Sequence, residues 1–201
     1  MSFDFVYLAS GSPRRRELLQ QIGVPFRLVQ VAVDEAVLSG ESAAAYVNRL
    51  ALAKSDAGWQ RCGGAEGIAV LAADTAVVHE GQIFGKPAGR ADAESMLRQL
   101  SGKTHEVLTA VALRTGRGSQ CRITRSEVTL RAIDAGEARA YWETGEPCDK
   151  AGGYAVQGRA AIFIADLRGS YSGVMGLPLF ETAQLLGEAG IASWQRTGEL
   201  P

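Results

Sequence analysis

The sequence predicts an α/β domain, and three stretches carry that prediction. Phe5–Ala9 reads as a buried strand, a helical stripe follows it, and Phe26–Val31 alternates apolar and polar residues like a second strand. Ile68–Ala73 is a continuous apolar run that resumes after Asp74-Thr75 as Ala76-Val77-Val78. Two long strand patterns, around His105–Leu113 and Cys121–Ala132, are joined through Gly116-Arg117-Gly118. With 201 residues, 46% of them hydrophobic, the chain suits one domain over 1–201, or two lobes sharing a sheet.

The first helix starts at Ser12, a good N-cap, with Pro13 in the first helical position; Leu18, Leu19 and Ile22 form its apolar stripe and Gly23 ends it. Arg14, Arg15 and Arg16 therefore occupy its first turn. The positive end of the helix dipole makes each exposed cation there cost about 0.3–1 kcal/mol, a sign that a bound phosphate would reverse. Arg15 falls on the side of Leu18, Leu19 and Ile22, pointing toward the interior end of the helix, and Arg16 is the solvent-facing member of the trio. Free backbone N–H groups, the hydroxyls of Ser10 and Ser12 and a flexible Gly11 converge on the same spot, as in other phosphate-binding strand-to-helix turns. The plainer alternative is a solvated basic turn.

A second helix is expected over about Ala43–Lys54, with Tyr46, Val47, Leu50 and Ala51 on one stripe, followed by a Gly-rich loop at Gly58–Gly67. Glu80-Gly81 reads as a hairpin turn, and a third helix covers about Ala91–Leu100, ending at Ser101-Gly102. Asp134 and Glu137 make a capping-box start for a helix carrying Ala138, Tyr141 and Trp142 and stopped by Gly145. Short strands at Tyr154–Gln157 and Ile162–Asp166 lead to a final helix over Leu179–Leu186.

Asp74 is the second informative position. A carboxylate inside that apolar run is buried in a sheet unless a strand end or bulge exposes it, and an unpaired buried charge is expensive. At a strand end opening on a cleft it would serve as a general base or a metal ligand; in a turn it would bond local backbone. Lys54 lies on or beside an apolar stripe, and periodicity alone favours its ammonium snorkelling outward over meeting an anion. Asp34-Glu35 follows the second strand and could hold Mg²⁺, although adjacent acids are common in loops. Lys86, between Gly85 and Pro87, is placed like a ligand clamp but is weak evidence alone. In Gly152–Gly158 the glycines let backbone approach a ligand closely, and Gln157 is the only amide.

The net charge of -1 argues against a broad nucleic-acid or anionic-membrane footprint. No apolar run approaches the roughly 20 residues needed to span a bilayer, and the first residues lack a charged leader, so a cytoplasmic setting is expected. Cys62, Cys121 and Cys148 are odd in number and widely spaced, which fits reduced thiols rather than a disulfide framework or zinc site. His79 and His105 lie in strand patterns and read as structural.

Ala9-Ser10-Gly11-Ser12-Pro13-Arg14-Arg15 is joined in order by Asp34-Glu35, Lys54, Ala73-Asp74-Thr75, Gly85-Lys86-Pro87, Leu100-Ser101-Gly102, Asp149-Lys150-Ala151-Gly152, Gln157-Gly158 and Val174-Met175-Gly176-Leu177-Pro178. This series resembles the Maf family of nucleoside triphosphate pyrophosphatases, once described as septum-formation inhibitors, from about Tyr7 to Leu186. The resemblance implies an inosine-triphosphatase-like fold, a long mixed twisted sheet flanked by helices with a cleft between two lobes. It implies hydrolysis of a nucleoside triphosphate to the monophosphate and pyrophosphate with a divalent metal, Mg²⁺ or Mn²⁺, and a homodimer. Asp74 matches the proton acceptor; Ser10, Arg14, Arg15, Glu35, Lys54, Lys86 and Gln157 match pocket residues; Arg14, Thr75 and Gln157 match positions tied to base choice. Glu35 and Asp74 are the expected metal ligands. Ser10-Gly11-Ser12, Asp74-Thr75 and Tyr154 with Gln157-Gly158 resemble the dTTP/UTP branch more than the branch acting on 7-methyl-GTP. A Gln suits uracil or thymine, because its carbonyl can accept from N3–H while its NH₂ donates to a ring carbonyl. A nucleotide-binding regulator of cell division with incidental hydrolysis is the other function class open to such a chain. One departure is Ala53, where relatives often carry an acid.

Overall fold

A computed structural model describes residues 3–194 of the chain. In order, the elements are β1 (Val6–Leu8), α1 (Pro13–Gln21), β2 (Phe26–Leu28), α2 (Ala43–Arg61), β3 (Val70–His79), β4 (Gln82–Phe84), α3 (Arg90–Leu100), β5 (Thr104–Thr115), β6 (Gly118–Leu130), α4 (Ala135–Glu143), β7 (Ile164–Arg168), α5 (Tyr171–Met175) and α6 (Leu179–Glu188). The strands form one mixed seven-stranded sheet, ordered β2-β1-β3-β5-β6-β7, with β4 paired to β3. β1 runs parallel to β2 and β3; the remaining pairs are antiparallel. Among the described residues, no helix is long and apolar enough to cross a membrane.

The central strand explains where the site lies. β5 pairs with β3 without interruption from Val70 to Val78, so Asp74 sits opposite Ala110 in mid-strand rather than at a strand end or bulge. On the other edge, however, β1 covers only Val70 and Leu71, and β4 covers only Val77 to His79. The edge between them has no strand partner, and Asp74 opens onto that break. A carboxylate can therefore sit inside a regular strand and still be reached.

Core packing divides at the same place. Leu71 and Ala73 pack with Leu19, Leu177 and Leu185 under α1 and α6, whereas Val77 packs with Leu97, Leu100 and Tyr141 under α3 and α4. On the opposite face Val70 and Ala72 meet Ala9 and Val29, while Ala76 and Val78 meet Val47 and Ala51 of α2. Asp74 and Thr75 fall at this seam, one on each face of the sheet, as the two-residue period of a strand requires.

Several boundaries differ from expectation. α2 runs seven residues beyond Lys54 to Arg61, so Gly58 belongs to a helix and not to a loop. Its missing side chain is what lets α2 lie on the sheet, since a Cβ there would come within 2.8 Å of Val70 Cγ1 and 3.2 Å of Ala9 Cβ. Tyr154–Gln157 is not a strand; it closes into a turn, with the N–H of Gly158 donating to the carbonyl of Ala155 at 3.0 Å and the N–H of Ala155 donating to the hydroxyl of Tyr141. The strand expected at Ile162–Asp166 begins at Ile164, after a 3₁₀ turn at Arg159–Phe163. The helix Tyr171–Met175, too short and glycine-broken to show a stripe, is an addition. The capping box at Asp134 and Glu137 is present, with both hydrogen bonds made. All three cysteines are free thiols. His105 is buried, and its Nε2 lies 2.7 Å from the hydroxyl of Tyr154.

Candidate active site

A cleft of about 540 Å³ opens at the seam. Arg14, Arg15, Lys54, Lys86 and Lys150 line it together with the carboxylates of Glu35, Asp74 and Asp149, so cations outnumber anions. Ser10, Thr75 and Gln157 line it as well. Every pocket residue expected from the sequence is thus gathered into one cavity, although they come from widely separated parts of the chain.

Arg15 is fixed from three sides. Its Nε donates to the carbonyl of Gly176 at 2.7 Å, Nη1 to Ser10 Oγ at 3.3 Å and Nη2 to Thr75 Oγ1 at 3.3 Å. Thr75 in turn lies 3.0 Å from Thr109 Oγ1, and Thr109 donates to the carbonyl of Gly173 at 2.7 Å. Because Thr109 spends its proton on Gly173, Thr75 donates to Thr109 and is left to accept from Arg15. Burial works against the Arg15 charge and lowers its pKa, with Asp74 opposing that effect. Such a guanidinium is held in place before any anion arrives. Ser12 occupies the N-cap position of α1 but makes no side-chain cap; its N–H donates instead to Ser10 Oγ at 3.1 Å. Arg14 reaches the cleft with a buried Nε that has no protein partner, while Arg16 does not line it.

Lys54 does not snorkel. Its Nζ lies 2.7 Å from Asp74 Oδ1 and 2.6 Å from Glu35 Oε1, bridging two carboxylates from different elements. Helical periodicity could not show this, because neither anion belongs to α2. Burial raises the pKa of Asp74, against the charge and hydrogen bond of Lys54 and the charge of Arg15. For Glu35, burial acts in the same direction but is outweighed by the hydrogen bond and charge of Lys54, with Lys86 and Arg15 adding to it, so its pKa is lowered. The two acids are thereby pushed apart, a pattern common where one group must take up a proton and another must stay ionised. Asp34 is separate from this pair: its Oδ1 accepts from the N–H of Ala36.

Three features escaped the sequence reading. Tyr46 lines the cleft, and its hydroxyl donates to the carbonyl of Glu35 at 3.0 Å, anchoring the loop that carries that acid. Lys150 lines the cleft beside Asp149, with which it pairs, and burial followed by the charge of Arg14 lowers its pKa. The glycines at 152 and 153 do not line the cleft themselves; the N–H of Gly152 donates to the carbonyl of Gly85 at 3.0 Å, tying this segment to the turn that carries Lys86. Only the Asp149-Lys150 motif offered a signal for any of these.

Among the described residues no group of three or more His, Cys, Asp or Glu could hold a metal ion. Glu35 and Asp74 nevertheless converge on one Lys54 nitrogen, and Mg²⁺ is commonly held by one or two carboxylates together with phosphate oxygens and waters. Glu35 and Asp74 are the carboxylate share of such a donor set.

A mixed sheet broken at one edge, with a cationic cleft around a buried carboxylate, defines an α/β protein with a site suited to a polyanion. The model of a family described as "Maf-like protein" matches residues 5–189. The chain belongs to that family. It is 54% identical over 196 residues to a protein of Aromatoleum aromaticum named dTTP/UTP pyrophosphatase, covering 92% of this chain and 95% of that one. A protein of Methylococcus capsulatus bearing the same name is 53% identical over 186 residues, covering 92% and 91%. Among solved structures, a nucleoside-triphosphatase (dITP/XTP pyrophosphatase) of Mycobacterium abscessus has a TM-score of 0.41 at 19% identity, covering 64% of this chain and 75% of that one. The Ham1 protein of Staphylococcus aureus has a TM-score of 0.43 at 13% identity, covering 62% and 71%.

Proposed function

We propose that the chain is a pyrophosphatase that hydrolyses dTTP and UTP to the nucleoside monophosphate and pyrophosphate. The observation that carries this reading is the buried Asp74 carboxylate within a cleft lined by Arg14, Arg15, Lys54 and Lys86. A binding site alone has no need of a carboxylate facing its polyanion; a hydrolase needs one to take a proton from water. The names of relatives at 53–54% identity support the pyrimidine triphosphates as substrates.

In this reading Oδ1 of Asp74 is held by Lys54, and Oδ2 orients a water and accepts its proton. The water oxygen attacks the α-phosphorus, an O–P bond forms, and the bond from that phosphorus to the pyrophosphate oxygen breaks. Arg15, Arg14, Lys54 and Lys86 neutralise the charge that grows on the leaving group, where charge-assisted and bidentate hydrogen bonds are strongest. Ser10 adds a neutral donor. Glu35 and Asp74 would hold Mg²⁺ or Mn²⁺, which when bound supplies further neutralisation at the phosphate oxygens. Gln157, whose Oε1 is buried without a protein partner, reads the base edge, with Arg14 and Thr75 shaping that choice.

The test is a panel of normal and modified triphosphates assayed for pyrophosphate release, with and without chelator. The expected result is the highest kcat/KM on dTTP and UTP, loss of turnover with chelator and recovery with Mg²⁺ or Mn²⁺. Orthophosphate as the product, or a purine triphosphate as the best substrate, would overturn the assignment; turnover indifferent to chelator would remove the metal from it.

A further inference from the structure

Glu146 is a carboxylate outside the phosphate grip whose hydrogen bonds all go to one purpose. Its Oε1 accepts from the hydroxyl of Tyr141 at 2.7 Å and from the N–H of Ala160 at 3.3 Å, and its Oε2 accepts from the N–H of Arg159 at 2.9 Å. The same Tyr141 hydroxyl accepts from the N–H of Ala155 at 3.2 Å. The connection that carries Gln157 is therefore held at both ends, at Ala155 before it and at Arg159 and Ala160 after it, by two side chains anchored on or beside α4. No neighbouring strand holds it.

The seat is shaped for this carboxylate. A Cβ on Gly158 would collide with both oxygens of Glu146, so any side chain there would displace the carboxylate from this seat. Arg14 and Lys150 are the charged groups facing the carboxylate, and both line the cleft.

We propose that Glu146, acting with Tyr141, is a positioning residue for specificity: it fixes the loop that presents Gln157 to the base, and so sets pyrimidine-over-purine discrimination without touching the substrate. This inference rests on the reading of Gln157 given above. Glu146→Gln is the direct probe. Whichever way its amide turns, an NH₂ is set against the N–H of Arg159 or that of Ala160, and the loop loses one anchor. Tyr141→Phe is the milder probe, removing only the hydroxyl that serves Glu146 and Ala155.

The experiment measures kcat/KM for UTP and for GTP in the wild type, Glu146→Gln, Tyr141→Phe, Gln157→Ala and the double variant Glu146→Gln/Gln157→Ala, with inhibition by inorganic tripolyphosphate as a control on the phosphate end. Glu146→Gln should lower the UTP/GTP ratio by about ten- to a hundredfold, as expected for a lost charge-assisted hydrogen bond. Tyr141→Phe should lower it less, and tripolyphosphate inhibition should stay within about threefold of wild type. In the Gln157→Ala background, Glu146→Gln should add no further loss of discrimination. An unchanged ratio in both Glu146→Gln and Tyr141→Phe, equal losses on UTP, GTP and tripolyphosphate, or, where Gln157→Ala itself lowers the ratio, additive effects in the double variant would overturn the proposal. If Gln157→Ala leaves the ratio intact while Glu146→Gln lowers it, the reading of Gln157 falls and the positioning role of Glu146 stands, with another part of the loop reading the base. If Glu146→Gln fails to fold, Tyr141→Phe alone decides by the same ratio.

Discussion

Asp74→Asn should lower kcat by about 10²–10⁴, the usual contribution of a general base, while UTP still binds. The substitution keeps the shape of the side chain and leaves Lys54 with its other partner, Glu35, at 2.6 Å. Binding measured without divalent metal should be equal or slightly tighter, since one negative charge leaves a cleft that must accept a polyanion. The wild-type rate carries a matching signature. Asp74 acts as a base only when deprotonated, and burial raises its pKa, so activity should fall with decreasing pH at a point above the ordinary carboxylate range. Near-normal turnover in Asp74→Asn, measured as pyrophosphate release at saturating UTP, would remove Asp74 from the role of base.

Lys54→Met should lower kcat/KM by about 10²–10³, the cost typical of losing one preorganised donor to developing charge. It should also shift the acid limb of the pH profile. Lys54 lowers the Asp74 pKa both through its charge and through the 2.7 Å hydrogen bond. Removing it lets the pKa rise, so the loss of activity on acidification should begin at higher pH than in the wild type. A drop in rate with an unmoved acid limb would mean that Lys54 serves the phosphate alone and does not tune Asp74.

These two residues also mark the boundary of what local pattern can reveal. The arginine turn was legible because capping, helix dipole and helical stripe are local, and Arg15 does point inward, to Gly176, Ser10 and Thr75. The apolar run through Asp74 was legible as a strand for the same reason. How Asp74 escapes burial was not, because the break in the sheet edge arises from where β1 and β4 stop: β1 is distant in sequence, and β4, though joined to β3 by a hairpin, pairs with it over only three residues. Lys54 on an apolar stripe reads as a snorkelling lysine until Glu35 and Asp74 arrive from elsewhere in the fold. Gly58 reads locally as the start of a loop, since the contact that needs it, with Val70 and Ala9, comes from the sheet beneath α2. The ordered series of short motifs picks out residues that the fold gathers into one cleft, a tertiary convergence that periodicity alone cannot show.

Hydrolysis of UTP in ¹⁸O-enriched water, followed by mass measurement of both products after a single turnover, tests the central chemistry most directly. Attack at the α-phosphorus with Asp74 as base places one ¹⁸O in UMP and none in pyrophosphate. Label in pyrophosphate, or in free phosphate, would contradict it.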